Sequence, residues 1–163
     1  MNFGRLVSAA VAATVADVVY GFLVYGLLIA SEFEKYPNVY RSAVDGPGYL
    51  PVMFAGIFVA MIAVAAIYAK GYEGGSGLSE GVRFGLLFGF FGGVFYGSVN
   101  YGVLIINKKL ALMLATAGFF EFLIVGTVIG LVYQPGTSSK ALAAMRRGMI
   151  EDHVHGRQAQ SRA

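Results

Sequence analysis

The chain has 163 residues, of which 57% are hydrophobic and only 13% charged, and its mean hydropathy is +0.68. Soluble domains carry about 25% charged residues, so this composition predicts a membrane protein without a second, soluble domain. Cysteine is absent, which excludes disulfides, thiolate metal sites and cysteine catalysis. The excess of the +3 formal charge lies in the C-terminal tail, where it favours headgroup contact over nucleic-acid binding.

The first predicted span covers about residues 6–30 and is apolar except for Ser8, Thr14 and Asp17. A signal peptide is the alternative, but its apolar region is only about 7–15 residues long and ends in small side chains. This run is longer, and Leu28 stands where a cleavage site needs a small residue. We therefore expect the segment to be retained as a membrane span.

The second predicted span covers about residues 49–69, with no charged residue, and should be the span most exposed to lipid. The preceding loop, 31–48, is polar and aromatic; a short interfacial helix and an ordinary connector both fit it. The following loop, 70–81, is rich in glycine. It lacks the lysine, the preceding strand and the acidic residue of nucleotide-binding loops, so we interpret it as a flexible turn.

The third predicted span, about residues 83–106, has a glycine at every fourth position on its N-terminal side. Residues four apart share one face of a helix. Bare faces of this kind let two membrane helices approach closely, and phenylalanines fill the other faces. This pattern predicts a glycine zipper, against a helix of the same chain or of a second copy, built from Gly81, Gly85, Gly89, Gly93 and Gly97.

The fourth predicted span covers about residues 110–133, after a tight turn at residues 107–109. This span has its own face of small residues, which includes Gly118, Gly126 and Gly130, so we expect it to pack on the third span. Residues 1–134 then form the membrane domain, and residues 135–163 form a basic tail, either a short amphipathic helix or disordered. The tail's His153 and His155 are weak evidence for a metal site, and we predict none.

Two carboxylic acids, Asp17 and Glu121, lie near the middle of the first and fourth spans. An uncompensated charge there costs at least about 2.5–3.5 kcal/mol, so each acid must be protonated, hydrogen-bonded or bound to a cation. One hypothesis is a proton or cation site formed by Asp17, Glu121, Tyr20, Tyr96 and Asn100; Tyr25, Ser98 and Tyr101 are further available partners. The alternative is that the acids join helices structurally. No span contains histidine, which excludes bis-histidine haem and disfavours a hydrolase.

The last part of the chain resembles a family of small, uncharacterised bacterial membrane proteins with four helices. The resemblance lies in Gly85-Leu86-Leu87-Phe88-Gly89, Asn100-Tyr101, Ala117-Gly118-Phe119 and the run from Gly126 to Leu131. Those relatives often have a Trp-Tyr-Ser-Pro cluster after the first helix and a histidine in the fourth. This chain has neither, and Glu121 stands close to the histidine position. The resemblance implies architecture only, because the family has no settled activity. Separately, we predict a multi-pass protein of a bacterial inner membrane.

The sequence thus predicts an all-α fold, a four-helix transmembrane bundle with a glycine-striped third helix. Basic residues beside the spans number six on the side of both termini and four on the other, which predicts cytoplasmic termini. The first functional hypothesis is a non-enzymatic protein without cofactor that acts by helix–helix association with itself or with other membrane subunits in the bilayer. The alternatives are a proton- or cation-coupled transporter or channel, and a binder of a lipid, quinone or pigment.

Overall fold

The computed structural model describes residues 2–42 and 44–134. This part of the chain is all-helical, and four of its helices are long and apolar enough to cross a membrane, as the sequence predicts. The α-helices are α1 (Phe3–Leu23), α2 (Ala30–Phe33), α3 (Leu50–Gly71), α4 (Gly77–Val103) and α5 (Lys108–Tyr133). A π-helical turn (Val24–Leu28) continues α1, and a 3-10 turn (Gly46–Tyr49) leads into α3.

Helix α4 differs from its predicted bounds, because it begins at Gly77 instead of residue 83 and ends at Val103 instead of 106. The Ser76 side chain accepts a hydrogen bond from the Ser79 backbone N–H, which caps the new first turn. Glu80 adds a negative charge at the positive end of the helix dipole. The glycine-rich loop is therefore shorter than predicted, and Gly81 belongs to the helix.

Helix α5 is the centre of the bundle, since it packs along the length of α4 and also contacts α1 and α3. Helix α1 packs on α5 and α3 through a face of small residues, including Ala9, Ala10 and Ala13. Only the C-terminal half of α3 contributes buried residues, and this span is the least buried of the four. Helices α1 and α4 make little direct contact, which leaves a cleft between them with α5 as its floor.

The glycine face of α4 lies directly against the backbone of α5. All five of its glycines are buried, and a Cβ atom added at Gly85 would lie 2.8 Å from the carbonyl oxygen of Leu123. From the other side, Gly126 and Gly130 lie against the backbone of Gly85 and Gly81. The neighbour of the glycine face is therefore a helix of the same chain, and no side chain fits between α4 and α5 at these positions.

Gly118 does not share this packing, although the sequence grouped it with the packing glycines. A Cβ atom added there would meet no atom within 4 Å, apart from its own helix backbone and chain neighbours. Its position on α5 is turned away from the glycine face of α4, toward the cleft between α1 and α4. The packing role expected of Gly118 is thus not what the structure shows.

The segment after α1 is tied to the start of α5 by an ion pair network. Glu32 Oε1 accepts a hydrogen bond from Lys109 Nζ at 2.5 Å and also pairs with Lys35 Nζ at 2.9 Å. The Asn107 backbone N–H donates to the Tyr36 hydroxyl at 3.1 Å, and the Leu110 N–H donates to Asn107 Oδ1 at 2.8 Å, which caps α5. The two lysines hold the pKa of Glu32 below its ordinary value.

This network predicts a pH-dependent loosening of the segment at residues 31–42. Because the folded-state pKa of Glu32 is depressed, its stabilising effect is present above the unfolded pKa and is lost as the pH falls through the folded pKa. Amide hydrogen exchange of residues 31–42, corrected for the intrinsic effect of pH, should therefore accelerate in acid. Glu32→Gln should already show the faster exchange at neutral pH and little further change. Equal exchange in Glu32→Gln and wild type at neutral pH would contradict this role.

Candidate functional site

The two acids of the membrane spans meet inside the bundle. Asp17 follows Leu6, Ala10 and Ala13 on the inward face of α1, and it is 6% exposed. Glu121 lies at the middle of α5, the helix on which that face packs. The two carboxyl groups line the same cavity and interact with each other. Since carboxylates only accept hydrogen bonds, a bond between them requires one proton on the pair.

Tyr25 is the third member of this cluster, and its hydroxyl donates a 2.7 Å hydrogen bond to Glu121 Oε2. It lies in the π-helical turn, where the Ile29 N–H bonds to the Val24 carbonyl at 2.9 Å. Turns of this type occur frequently at functional sites. The Tyr25 hydroxyl stabilises negative charge on Glu121, so the three groups can hold one proton and one negative charge together.

A cavity of about 280 Å³ extends from the two acids toward the end of the bundle where α1 ends and α5 begins. One wall comes from α4, whose residues 92, 96 and 100 follow each other at a spacing of four and so share a face. Its floor comes from α5, where Gly118 leaves open space beside Glu121. Apart from the two acids, its polar side chains are Tyr25, Tyr96 and Asn100.

The electrostatic character of this cavity is acidic and without a countercharge. None of the residues that line it is a lysine, arginine or histidine. Within residues 2–42 and 44–134, no group of three or more histidine, cysteine, aspartate or glutamate side chains could hold a metal ion. The volume admits several water molecules, each of which occupies about 30 Å³ in the liquid. The arrangement can therefore take up a proton, or a small cation with water.

The structure brings together four of the five side chains that the sequence selected as a proton or cation site: Asp17, Glu121, Tyr96 and Asn100. Tyr20 does not join them through its hydroxyl, which donates a 2.9 Å hydrogen bond to the Ala117 carbonyl. Ser98, also considered as a partner, donates to carbonyls of its own helix. Tyr101 is 54% exposed and does not line the cavity.

The sequence offered Tyr25 only as one of several polar partners for the two acids. The direction of helical side chains could have identified it as the partner of Glu121. Side chains of a helix tilt toward its N-terminus. Near the end of α1, Tyr25 therefore points back toward the middle of the membrane. Glu121 tilts in the opposite direction because α5 runs antiparallel to α1, so the two side chains converge from different depths. Their positions along the two helices alone would place Tyr25 and Glu121 at different depths in the membrane.

No known protein family, curated protein or solved structure matches this chain. The chemistry of the site is therefore inferred from the site's own residues, which are an acid pair, a tyrosine donor and an acidic cavity inside four apolar helices.

Proposed function

We propose that this chain is a small proton-coupled transport protein whose proton-binding site is the pair Asp17 and Glu121. The observation that carries the proposal is that both carboxyl groups lie at the inner end of one cavity whose other polar side chains are Tyr25, Tyr96 and Asn100. Loading and unloading of the shared proton would be the event to which transport is coupled. The protein is not an enzyme in this proposal.

Proton chemistry is favoured because two carboxylates cannot both carry charge at short distance in a medium of low dielectric constant. Pairs that share one proton are the known solution to this conflict. The Tyr25 hydroxyl then compensates the charge that remains on Glu121. With one proton bound the pair carries a charge of −1, and with two it is neutral.

A divalent metal cation is a less suitable occupant than a proton. Calcium requires six to eight oxygen ligands, and magnesium requires a near-ideal octahedron. The cavity offers two carboxyl groups with the oxygens of Tyr25, Tyr96 and Asn100, and Tyr96 is 62% exposed. A monovalent cation that retains water remains the alternative ligand of the same acidic site.

The cavity also suggests the side from which the proton enters. Asn100 is three residues from the end of α4, whereas Glu121 is near mid-membrane, so the polar lining follows the outer half of the helices. If both termini are cytoplasmic, as the distribution of basic residues predicts, this cavity faces the side opposite the cytoplasm. Residence in a bacterial inner membrane belongs to the same proposal.

The other two hypotheses from the sequence stay predictions. A glycine zipper within the bundle draws support from the burial of the five glycines of α4 and from their close approach to α5. Association with a second copy or with other subunits stays a prediction. Binding of a quinone or pigment draws support only from the exposed phenylalanines of α4, which include Phe90, Phe91 and Phe95.

Infrared spectroscopy of the protein in vesicles tests the shared proton directly. We expect a carbonyl stretching band of a protonated carboxylic acid at neutral pH, which both Asp17→Asn and Glu121→Gln remove. Tyr25→Phe should shift the band without removing it, because it deletes one hydrogen bond and no carboxyl group. Glu34→Gln, at an exposed position in the loop, should leave the spectrum unchanged. Absence of such a band in the wild type would rule the shared proton out.

A further inference from the structure

A second and larger cavity lies between α1 and α5, apart from the acid pair. It has a volume of about 550 Å³, within the range of roughly 300–1,000 Å³ that is typical of ligand sites. Its walls are almost entirely apolar, with Val24, Leu28, Leu112, Met113 and Phe120 among them. It is an open groove along the side of the bundle, so in a bilayer its mouth faces lipid.

The groove has the length of one lipid leaflet. It extends along α5 from Lys109 to Phe120, eleven residues that rise by about 16 Å at 1.5 Å per residue. Half of a hydrocarbon core about 30 Å thick is about 15 Å. An acyl chain that enters from the headgroup layer at Lys109 would therefore end near the middle of the membrane, beside Phe120.

The headgroup end of the groove carries an excess positive charge. Lys35 and Lys109 share the single carboxylate of Glu32, so this group of three has a net charge of +1. The Lys109 ammonium has three N–H donors, of which Glu32 takes one, and its side chain is 64% exposed. The free donors can bind the phosphate of a lipid whose acyl chain occupies the groove.

We propose that this groove is a binding site for one anionic phospholipid, with the phosphate at Lys109 and an acyl chain between α1 and α5. This surface combines a cation at headgroup depth with an apolar channel one leaflet long. A zwitterionic lipid can fill the same groove but gains less from Lys109. One lysine near the membrane surface contributes about fivefold in affinity for anionic lipid.

Native mass spectrometry of the detergent-solubilised protein tests this site with phosphatidylglycerol and phosphatidylcholine of identical acyl chains. We expect one tightly bound phosphatidylglycerol, with a preference of about fivefold over phosphatidylcholine. Lys109→Gln should abolish the preference, and Lys109→Arg should restore it. Lys70→Gln, which removes a lysine at the other end of the bundle, should keep it. Equal binding of both lipids by the wild type would overturn the proposal.

A second pair of variants tests the groove without altering the ion pairs of Glu32. Leu112→Trp adds bulk to the lining of the groove and should reduce binding of both lipids. Leu131→Trp makes the same change at an exposed position of α5 that does not line the groove, and should bind lipid as the wild type does. Unchanged binding in Leu112→Trp would also overturn the proposal. Neither result depends on proton transport, so these experiments test the lipid site independently of the proposed function.

Discussion

Glu121→Gln and Asp17→Asn are each expected to reduce proton flux across vesicle membranes by at least about tenfold. This is a conservative figure, because a positioned proton donor or acceptor typically contributes about 10²–10⁴-fold to a rate. Each amide keeps the shape of the side chain but cannot exchange a proton. In the proposed function the two carboxyl groups hold the proton jointly, so removal of either one should have nearly the full effect, and the double variant should be no worse. A pH-sensitive dye trapped inside the vesicles measures the flux.

Two matched controls separate the acid pair from general damage. Glu34→Gln removes an exposed carboxylate and should retain full flux. Gly118→Leu places a side chain in the open space of the cavity and should reduce flux while both acids remain, whereas Gly56→Leu, where a Cβ likewise meets no atom, should not. Size-exclusion chromatography of each variant reports whether the bundle is intact.

The structural alternative makes the opposite forecast for the same variants. If Asp17 and Glu121 serve only to join α1 to α5, the amides should change the stability of the bundle and leave flux unaffected. Wild-type flux in both amide variants would therefore refute the transport proposal. Failure of both variants to form a monodisperse bundle, with normal flux in Gly118→Leu, would favour the structural role.

Gly85→Ala is expected to cause a large loss of stability. The new Cβ would lie 2.8 Å from the Leu123 carbonyl oxygen and 2.9 Å from the Leu123 Cα. Both atoms belong to the backbone, so no side chain can rotate away and α4 must move off α5. Overpacking of a core costs about 1–3 kcal/mol even where side chains can adjust, so we expect at least about 3 kcal/mol here. Reversible unfolding in mixed detergent micelles gives the free energy.

Gly56→Ala is the matched control, because it adds the same methyl group to α3 at a position with no atom within 4 Å. This variant should be at least as stable as the wild type, because alanine is a better helix former than glycine and the new methyl group meets no atom. Gly89→Ala should resemble Gly85→Ala, since its Cβ would lie 2.5 Å from the Phe119 carbonyl oxygen. Equal stability of Gly85→Ala and Gly56→Ala would show that the close approach of α4 and α5 does not hold the bundle together.

The N-terminal end of α4 illustrates which details of the fold the sequence leaves open. Hydropathy placed the start of this span at residue 83, because residues 77–82 include polar and glycine positions. The structure starts it at Gly77, since Ser76 supplies a cap and α5 covers the first turns through Gly130. Local composition cannot predict that α5 covers the first turns of α4. For the same reason, Gly118 looked like another packing glycine until its direction on α5 was known.

The sequence by itself determined the four spans, the close-packing face of α4 and the depth of the two acids, because length, hydropathy and helical period are properties of one segment at a time. Only the tertiary structure decided that α5 covers the glycine face, that Asp17 meets Glu121, and that Tyr25 reaches this pair while Tyr20 binds the Ala117 carbonyl. These outcomes depend on the rotation of each helix about its axis and on its choice of neighbour. Both follow from packing between segments that are distant in sequence, which no single segment encodes.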